Sequence, residues 1–532
     1  MAKRSNFSVC ERSAVEHLRI KRPLLSYNFT EKFVFREKSM KKILCILLVT
    51  CLLVAVACLT LAACSVDKMK QAAKNGDKYV IVASYDNETH VLSATQTVEM
   101  TNRSDNSFTA VKFHIYANQY REDAANSVVP NVYKAQAYPN GASYGDITFD
   151  SVKVNGTAVA YTIEGTDLDI LSVPVNELYP DQKATIEMTY EVQLANINHR
   201  LGYNDDTVNL GNFYPVLCHV DNGSYTASPY YNVGDPFVSE VANYSVSLTL
   251  PDNYVVASSG TLGEAKSSNG LVTYSYTAEA VRDFAMVLST KFTKLTRNVG
   301  NTQVNYYYYN DTDAEASLAT ACGMLEYLNK NVGAYPYEQY SVAETGFCYG
   351  GMEYPGLVMI TSGSSSYQEA IAHETAHQWF YGVVGNDQIQ NAWMDEGLSE
   401  FLTYLYMDNT GATKLSRNIM GATQTYVTYV DVLNRYYTDV DRSMRAVNEY
   451  RSDSEYVIFT YVKGSLLFNT IYETVGATKF WKSLARYYDE AQFTIAPVSM
   501  MVDSFTGVCG AEVGSIFNAF IDGTEIIGRV TD

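Results

Sequence analysis

The sequence predicts an α+β multidomain protein, an N-terminal β-sandwich domain followed by a mainly helical domain. Three observations carry this reading. At 532 residues the chain is too long for one ordinary core. From Tyr79 to about Lys294, apolar and polar residues alternate in short runs broken by Asn, Asp and Gly, the period of half-buried strands. Beyond Tyr306 to Tyr309 the apolar spacing lengthens to that of helices. Composition agrees, with 47% apolar and 18% charged residues describing a globular chain. The 44 tyrosines suit β-rich structure and polar, wet surfaces.

Taken in order, residues 1–39 are basic and patternless, and they are expected to be untranslated or disordered. Met40-Lys41-Lys42 has the form of a signal-peptide start, and an apolar run from Ile43 to Leu61 follows, closing on Leu61-Ala62-Ala63-Cys64. This resembles a bacterial lipoprotein signal and its lipobox. Residues 40–63 are then a signal peptide, cleaved before Cys64, whose thiol takes the lipid. The other reading of the run is an uncleaved membrane helix. A lipid at Cys64 implies a cell-membrane protein anchored on the extracytoplasmic face of a bacterium. Residues 64–78 read as a polar, Lys-rich tether.

Of 39 Lys and Arg and 58 Asp and Glu, residues 1–63 hold 11 and 4, so the remainder carries 28 basic and 54 acidic side chains, net −26. That balance argues against nucleic-acid partners. It keeps the molecule soluble and weakly favours cationic peptides. Cys218, Cys322, Cys348 and Cys509 are scattered without a Cys-x-x-Cys pair. Two disulfides and four free buried thiols are equally open.

The β region, residues 79–294, shows its alternation best at Tyr79–Tyr85, His90–Met100 and Tyr244–Leu250. In the helical region, 295–532, Ala314 to Val332 reads as one helix ending before Gly333. Gly464–Thr474, Thr478–Gln492 and Val513–Asp522 read as later ones. Between them lies the stretch with chemical content. Ser366 with Glu369 reads as a capping box, and Ile371, Ala372, Ala376, Trp379 and Phe380 make an apolar helical stripe ended by Gly382 and Gly385. On that helix stand His373-Glu374-Thr375-Ala376-His377. Residues four apart share a face, so His373 and His377 aim two imidazoles at one point. After eighteen intervening residues comes Glu396, at the head of a helix burying Leu398, Phe401, Leu402 and Leu405. If that helix folds back on the first, Glu396 completes a His2Glu set, one of the standard three-ligand zinc sites with an open fourth position. Glu374, one residue round, can hold a water beside the metal without being a ligand. One zinc ion per chain is the implied cofactor.

Two more motifs flank this one. Gly350-Gly351-Met352-Glu353-Tyr354 precedes it and Tyr461-Val462-Lys463-Gly464 follows, 65 residues past Glu396. The order Gly-x-Met-Glu, His-Glu-x-x-His-x18-Glu, Tyr-x-Lys-Gly closely resembles the aminopeptidase N family of zinc metallopeptidases, gluzincins related to leukotriene hydrolase. The resemblance covers about residues 80–532. The usual Gly-Ala-Met-Glu-Asn stands here as Gly-Gly-Met-Glu-Tyr. The resemblance implies that 295–532 is a thermolysin-like catalytic domain and that the further helical cap domain of many members is absent. It implies Glu374 as general base, Tyr461 as phenolic donor to the oxyanion, with Tyr456 a weaker candidate, and Glu353 as anchor for a peptide's free α-ammonium. Gly350, Gly351 and Met352 would form the substrate-binding edge, since glycine lets another backbone approach. Glu400, one turn beyond Glu396, could orient a ligand histidine. Lys463 reads as structural. The N-domain residue that binds the substrate amine is not assignable, because Gly211-Asn212-Phe213-Tyr214-Pro215 replaces the family's usual stretch there.

The favoured function is a zinc-dependent aminopeptidase acting on peptides with a free N-terminus. A thermolysin-type endopeptidase and a catalytically inactive binding scaffold are the alternatives. Loss of a ligand or of Glu374 would mark the scaffold, and none is lost.

Overall fold

A computed structural model of the chain describes residues 67–523, apart from 438–440, 442 and 444. The signal segment and Cys64 lie outside the described residues. The β region is built on an eight-stranded sheet, in the order Thr261–Ser268, Leu271–Val281, Ala242–Pro251, Asp77–Asp86, Val91–Thr101, Lys183–Gln193, Asp146–Val154, Thr157–Ala158. Neighbours run antiparallel except Asp77–Asp86, which lies parallel to Ala242–Pro251. Strict alternation of buried and exposed residues along Asp77–Asp86 shows why the pattern was legible: one face is core, the other solvent. Two four-stranded sheets contribute to the same core, where Ile81, Val98, Phe113, Ile186, Leu248 and Met286 meet.

The second half packs helices on a five-stranded sheet. Its strands run Thr293–Val299, Thr302–Tyr308, Gln339–Thr345, Leu357–Thr361 and, at the edge, Gly351–Met352. The expected boundary at 294 therefore falls inside a hairpin, and the stretch after Tyr309 is not uniformly helical. Gln339–Thr345 is buried at every position, so it has no alternation to read. The helix expected at Ala314–Val332 is Ala314–Asn331, and the later ones are Lys463–Val475, Ala477–Ala491 and Ala511–Asp522. Leu415–Leu433 and Val498–Cys509 are helices the sequence reading does not anticipate. Trp379, Leu398, Phe401, Phe468, Phe480 and Phe517 lie in the core between helices.

The presumed tether also differs. Residues 67–75 form a helix whose Met69, Ala72 and Ala73 lie against that second core, and Lys68 reaches Asp489 at 2.5 Å. Apolar residues in a short Lys-rich segment were enough to dock it. Cys218, Cys322, Cys348 and Cys509 are all free thiols. Among the described residues, no helix is long and apolar enough to cross a membrane.

Candidate metal centre and active site

Helix Tyr367–Ala376 carries the two histidines. Ser366 stands at its N-cap, but the expected capping box does not form. Its φ of −133° and ψ of 41° turn the side chain away from the helix N–H groups. Its own N–H donates to Ser364 Oγ at 3.1 Å instead. The helix is also shorter than expected. It closes at His377, whose carbonyl accepts from Gly382 N at 2.9 Å. Residues 378–395 then turn the chain through a short helix, Gln388–Asn391, capped by the Asp387 carboxylate. The returning helix, Glu396–Thr410, packs beside Lys463–Val475 at a glycine pair. A Cβ added to Gly397 would lie 2.6 Å from Gly464 Cα. Only two glycines allow that approach, and it draws the π-helical turn Ile458–Val462, with Tyr461, up to the histidines. The Gly of Tyr-x-Lys-Gly is thereby explained.

Three donor atoms converge. His373 Nε2 lies 3.2 Å from Glu396 Oε2, His377 Nε2 lies 3.1 Å from the same oxygen, and the two Nε2 atoms are 3.1 Å apart. Each outer nitrogen has an oxygen acceptor nearby. His377 Nδ1 faces the Phe380 carbonyl at 3.0 Å, and His373 Nδ1 lies 3.1 Å from Glu400 Oε2. A proton on each Nδ1 leaves each Nε2 with a lone pair, so two lone pairs and a carboxylate point at one spot. That arrangement repels itself unless a cation sits among them. Tetrahedral zinc ligands at bonding distance would be about 3.3 Å apart, close to the spacing seen. The residues therefore fit the implied metal. With the chain's own groups alone, burial opposes a charged imidazole, yet Glu396 overrides it and raises His377 to about 10. Glu400 thus stands where an orienting carboxylate belongs.

Around this centre lies a cavity of about 540 Å³. Glu374 is buried, its Oε2 has no hydrogen-bond partner among the described residues, and burial raises it to about 7 against the pull of both histidines. The Tyr461 ring stacks on His373, centroids 5.7 Å apart. Burial and then the Glu396 charge keep its phenol protonated, well above the usual range. Tyr456 OH is also buried and without a hydrogen-bond partner among the described residues, and the rings of Tyr456 and Tyr461 are 6.0 Å apart. Lys463 is buried, donating to the Asp441 and Phe520 carbonyls, and holds structure rather than facing the cavity.

Glu353 comes to the trio as well. One of its oxygens lies within 4.8 Å of oxygens from Asp235 and Glu396. Gln388 Nε2 bridges Glu353 Oε1 at 3.0 Å and Asp395 Oδ2 at 2.8 Å. Burial, then the Asp235 charge, push Glu353 well above the usual carboxylate range. Asp235 is a buried acid from the N-terminal domain that the sequence does not single out. It is ion-paired to buried Arg200, which also donates to the Gly234 carbonyl at 3.2 Å. The signal was present in Gly234-Asp235-Pro236-Phe237, but nothing local says that this turn reaches across to another domain's cavity. Tyr354, where the resembled motif has Asn, seats its hydroxyl against Gly211 and donates to Asn212 Oδ1 at 2.8 Å. The variant residue thus locks the motif strand to the N-terminal domain.

Known proteins share parts of this sequence and its fold. Residues 316–520 match the Peptidase family M1 domain. Leucine aminopeptidase 2-1 of Meyerozyma guilliermondii is 26% identical over 182 residues, 32% of this chain and 29% of that protein. Leukotriene A-4 hydrolase of Xenopus laevis is 36% identical over 85 residues, 15% of this chain and 14% of that protein. Aminopeptidase N of Lactococcus lactis subsp. lactis is 24% identical over 198 residues, 34% of this chain and 23% of that protein. The chain spans less than a third of the length of these relatives. Among solved structures, the M1 zinc metallopeptidase from Deinococcus radiodurans superposes with a TM-score of 0.61 at 17% identity, covering 86% of this chain and 95% of that one. A variant of it bound to a Tyr-Ser-Ala substrate gives 0.59 at 16% identity, covering 86% and 94%. These likenesses show a shared two-domain fold.

Proposed function

We propose that this chain, whose residues 316–520 are a peptidase family M1 domain, is a zinc-dependent aminopeptidase that removes N-terminal residues from peptides. The observation that carries the reading is the placement of buried Glu353 and Asp235 beside the His373–His377–Glu396 centre. Acids crowded together out of water are costly unless a cation joins them. Arg200 answers part of that charge. A peptide's α-ammonium answers the rest, and it would sit one residue from the bond facing the metal. An endopeptidase has no use for such a receptor.

His373, His377 and Glu396 would hold the zinc. When bound, zinc supplies a Lewis acid for the scissile carbonyl and acidifies a water beside it. Glu374 takes the proton of the attacking water and passes it to the leaving amine. Tyr461 donates its phenolic O–H to the oxygen where negative charge develops. Gly351 and Met352 form the edge strand, with Gly350 just before it, where the peptide backbone can pair. A lipid on Cys64, holding the enzyme at the outer face of a bacterial membrane, completes the proposal. The lipobox-like Leu61-Ala62-Ala63-Cys64 supports it.

Metal analysis with a paired substrate assay tests the enzymatic reading. The purified chain should carry one zinc and hydrolyse aminoacyl fluorogenic substrates while sparing their N-acetylated forms. Equal turnover of both forms would transfer the assignment to an endopeptidase, and no turnover of either would leave a scaffold.

A further inference from the structure

The second glycine of Gly350-Gly351-Met352-Glu353 has a neighbour that the sequence does not reveal. A Cβ built on Gly351 would lie 2.6 Å from both Cγ and Cδ of Glu374, and closer still to its Oε1. A Cβ on Gly350 meets nothing within 4 Å. Ordinary contact begins near 3.4 Å, so a single methyl at 351 requires the Glu374 carboxyl group to move by about 1 Å. The backbone at 351 is itself held, since Gly351 pairs with Ile360 in the edge ladder and Met352 is fully buried. The strand cannot yield, and the long side chain facing it can. The resembled motif, Gly-x-Met-Glu, usually carries Ala at this position, where this chain has a bare Cα.

We infer that Gly351 is a positioning residue: its missing side chain is the socket in which the Glu374 carboxylate rests beside the metal ligands. The inference rests on the reading of Glu374 as general base. The chemistry is unforgiving there. Proton transfer needs the carboxylate within hydrogen-bond reach of the water it deprotonates, and a shift of about 1 Å at a reacting group costs on the order of 10²-fold. Folding is forgiving, because the displaced atoms end a flexible side chain at the cavity wall.

Gly351→Ala should therefore fold with a thermal midpoint close to that of the parent and bind zinc equally. Its kcat should fall by about 10²-fold, with KM little changed. In a Glu374→Asp background, where the carboxylate is one methylene shorter, the same alanine should cost much less. Crystal structures of the parent and Gly351→Ala should show the carboxylate displaced, a readout independent of turnover. A raised KM with kcat retained would mean that the glycine serves the substrate backbone instead, and would overturn the inference. So would equal losses in both backgrounds, or an unmoved carboxylate. A parent enzyme that hydrolyses no peptide would sink the functional reading, while the crystallographic comparison would still judge the socket.

Discussion

Glu374 and Glu353 are both buried acids in one cavity, and their neighbours divide their roles. Glu374 flanks the two imidazoles, and one of its oxygens has no hydrogen-bond partner among the described residues. Glu353 is bridged by Gln388 and crowded by Asp235. Replacing Glu374 with Gln keeps the shape and removes the carboxylate proposed as the base. Zinc content should persist and kcat should fall by about 10²–10⁴-fold, as shown by metal analysis beside steady-state kinetics. Glu353→Ala removes half of a cation receptor. It should raise KM for free-amine substrates far more than for N-blocked ones, and equal effects on both would reject the anchor. The motif spacing made these residues legible from sequence. Asp235 was not legible, because it approaches from a turn more than a hundred residues earlier in the chain.

Elements explain residues whose identity the chemistry does not require. Gly464 belongs to the motif that carries Tyr461, yet its own work is to let two helices touch. With Gly397 Cα beside it, an added methyl has nowhere to go, since both backbones are in place. Gly464→Ala should cost roughly 1–3 kcal/mol by overpacking, visible as a lowered urea midpoint. It should also reduce kcat, because the turn Ile458–Val462 carrying Tyr461 enters this helix directly. A variant as stable and as active as the parent would refute the account. Helix ends, by contrast, were poorly legible. Ser366 and Glu369 form a capping pattern in sequence, but the serine side chain makes no bond to the helix N–H groups.

Across the whole molecule, charge buried without water sets two expectations. Stripping the metal leaves two buried imidazoles and a carboxylate facing one another between helices, with a proton that Glu396 holds on His377 in the metal's place. Chelation should therefore lower the thermal midpoint, and added zinc should restore it in a concentration-dependent way. The second expectation concerns acid. His114 is buried in the β domain, and burial lowers it to about 4, with only a partial offset from the Thr226 backbone. The unfolded chain takes the proton first as pH falls. Stability from this group is thus complete above about 6.5 and is lost progressively down to about 4, to the extent of about 3 kcal/mol. Denaturant midpoints at pH 7 and pH 5 should separate further for the parent than for His114→Phe.

The sequence by itself picked out the His373, His377 and Glu396 cluster, the Glu374 beside it, the order of the two domains and the strands of the solvent-facing sheet. Each of these rests on short-range periodicity: one helical turn places two histidines, and one pleat separates core from water. Tertiary structure alone decided which N-domain acid joins Glu353, why Gly351 and Gly464 are glycines, that residues 67–75 dock as a helix, and where the fully buried strands run. Those features depend on contacts between segments far apart in the chain. Spacing within a sequence carries no distance across a cavity, and a strand buried on both faces leaves no alternation to read.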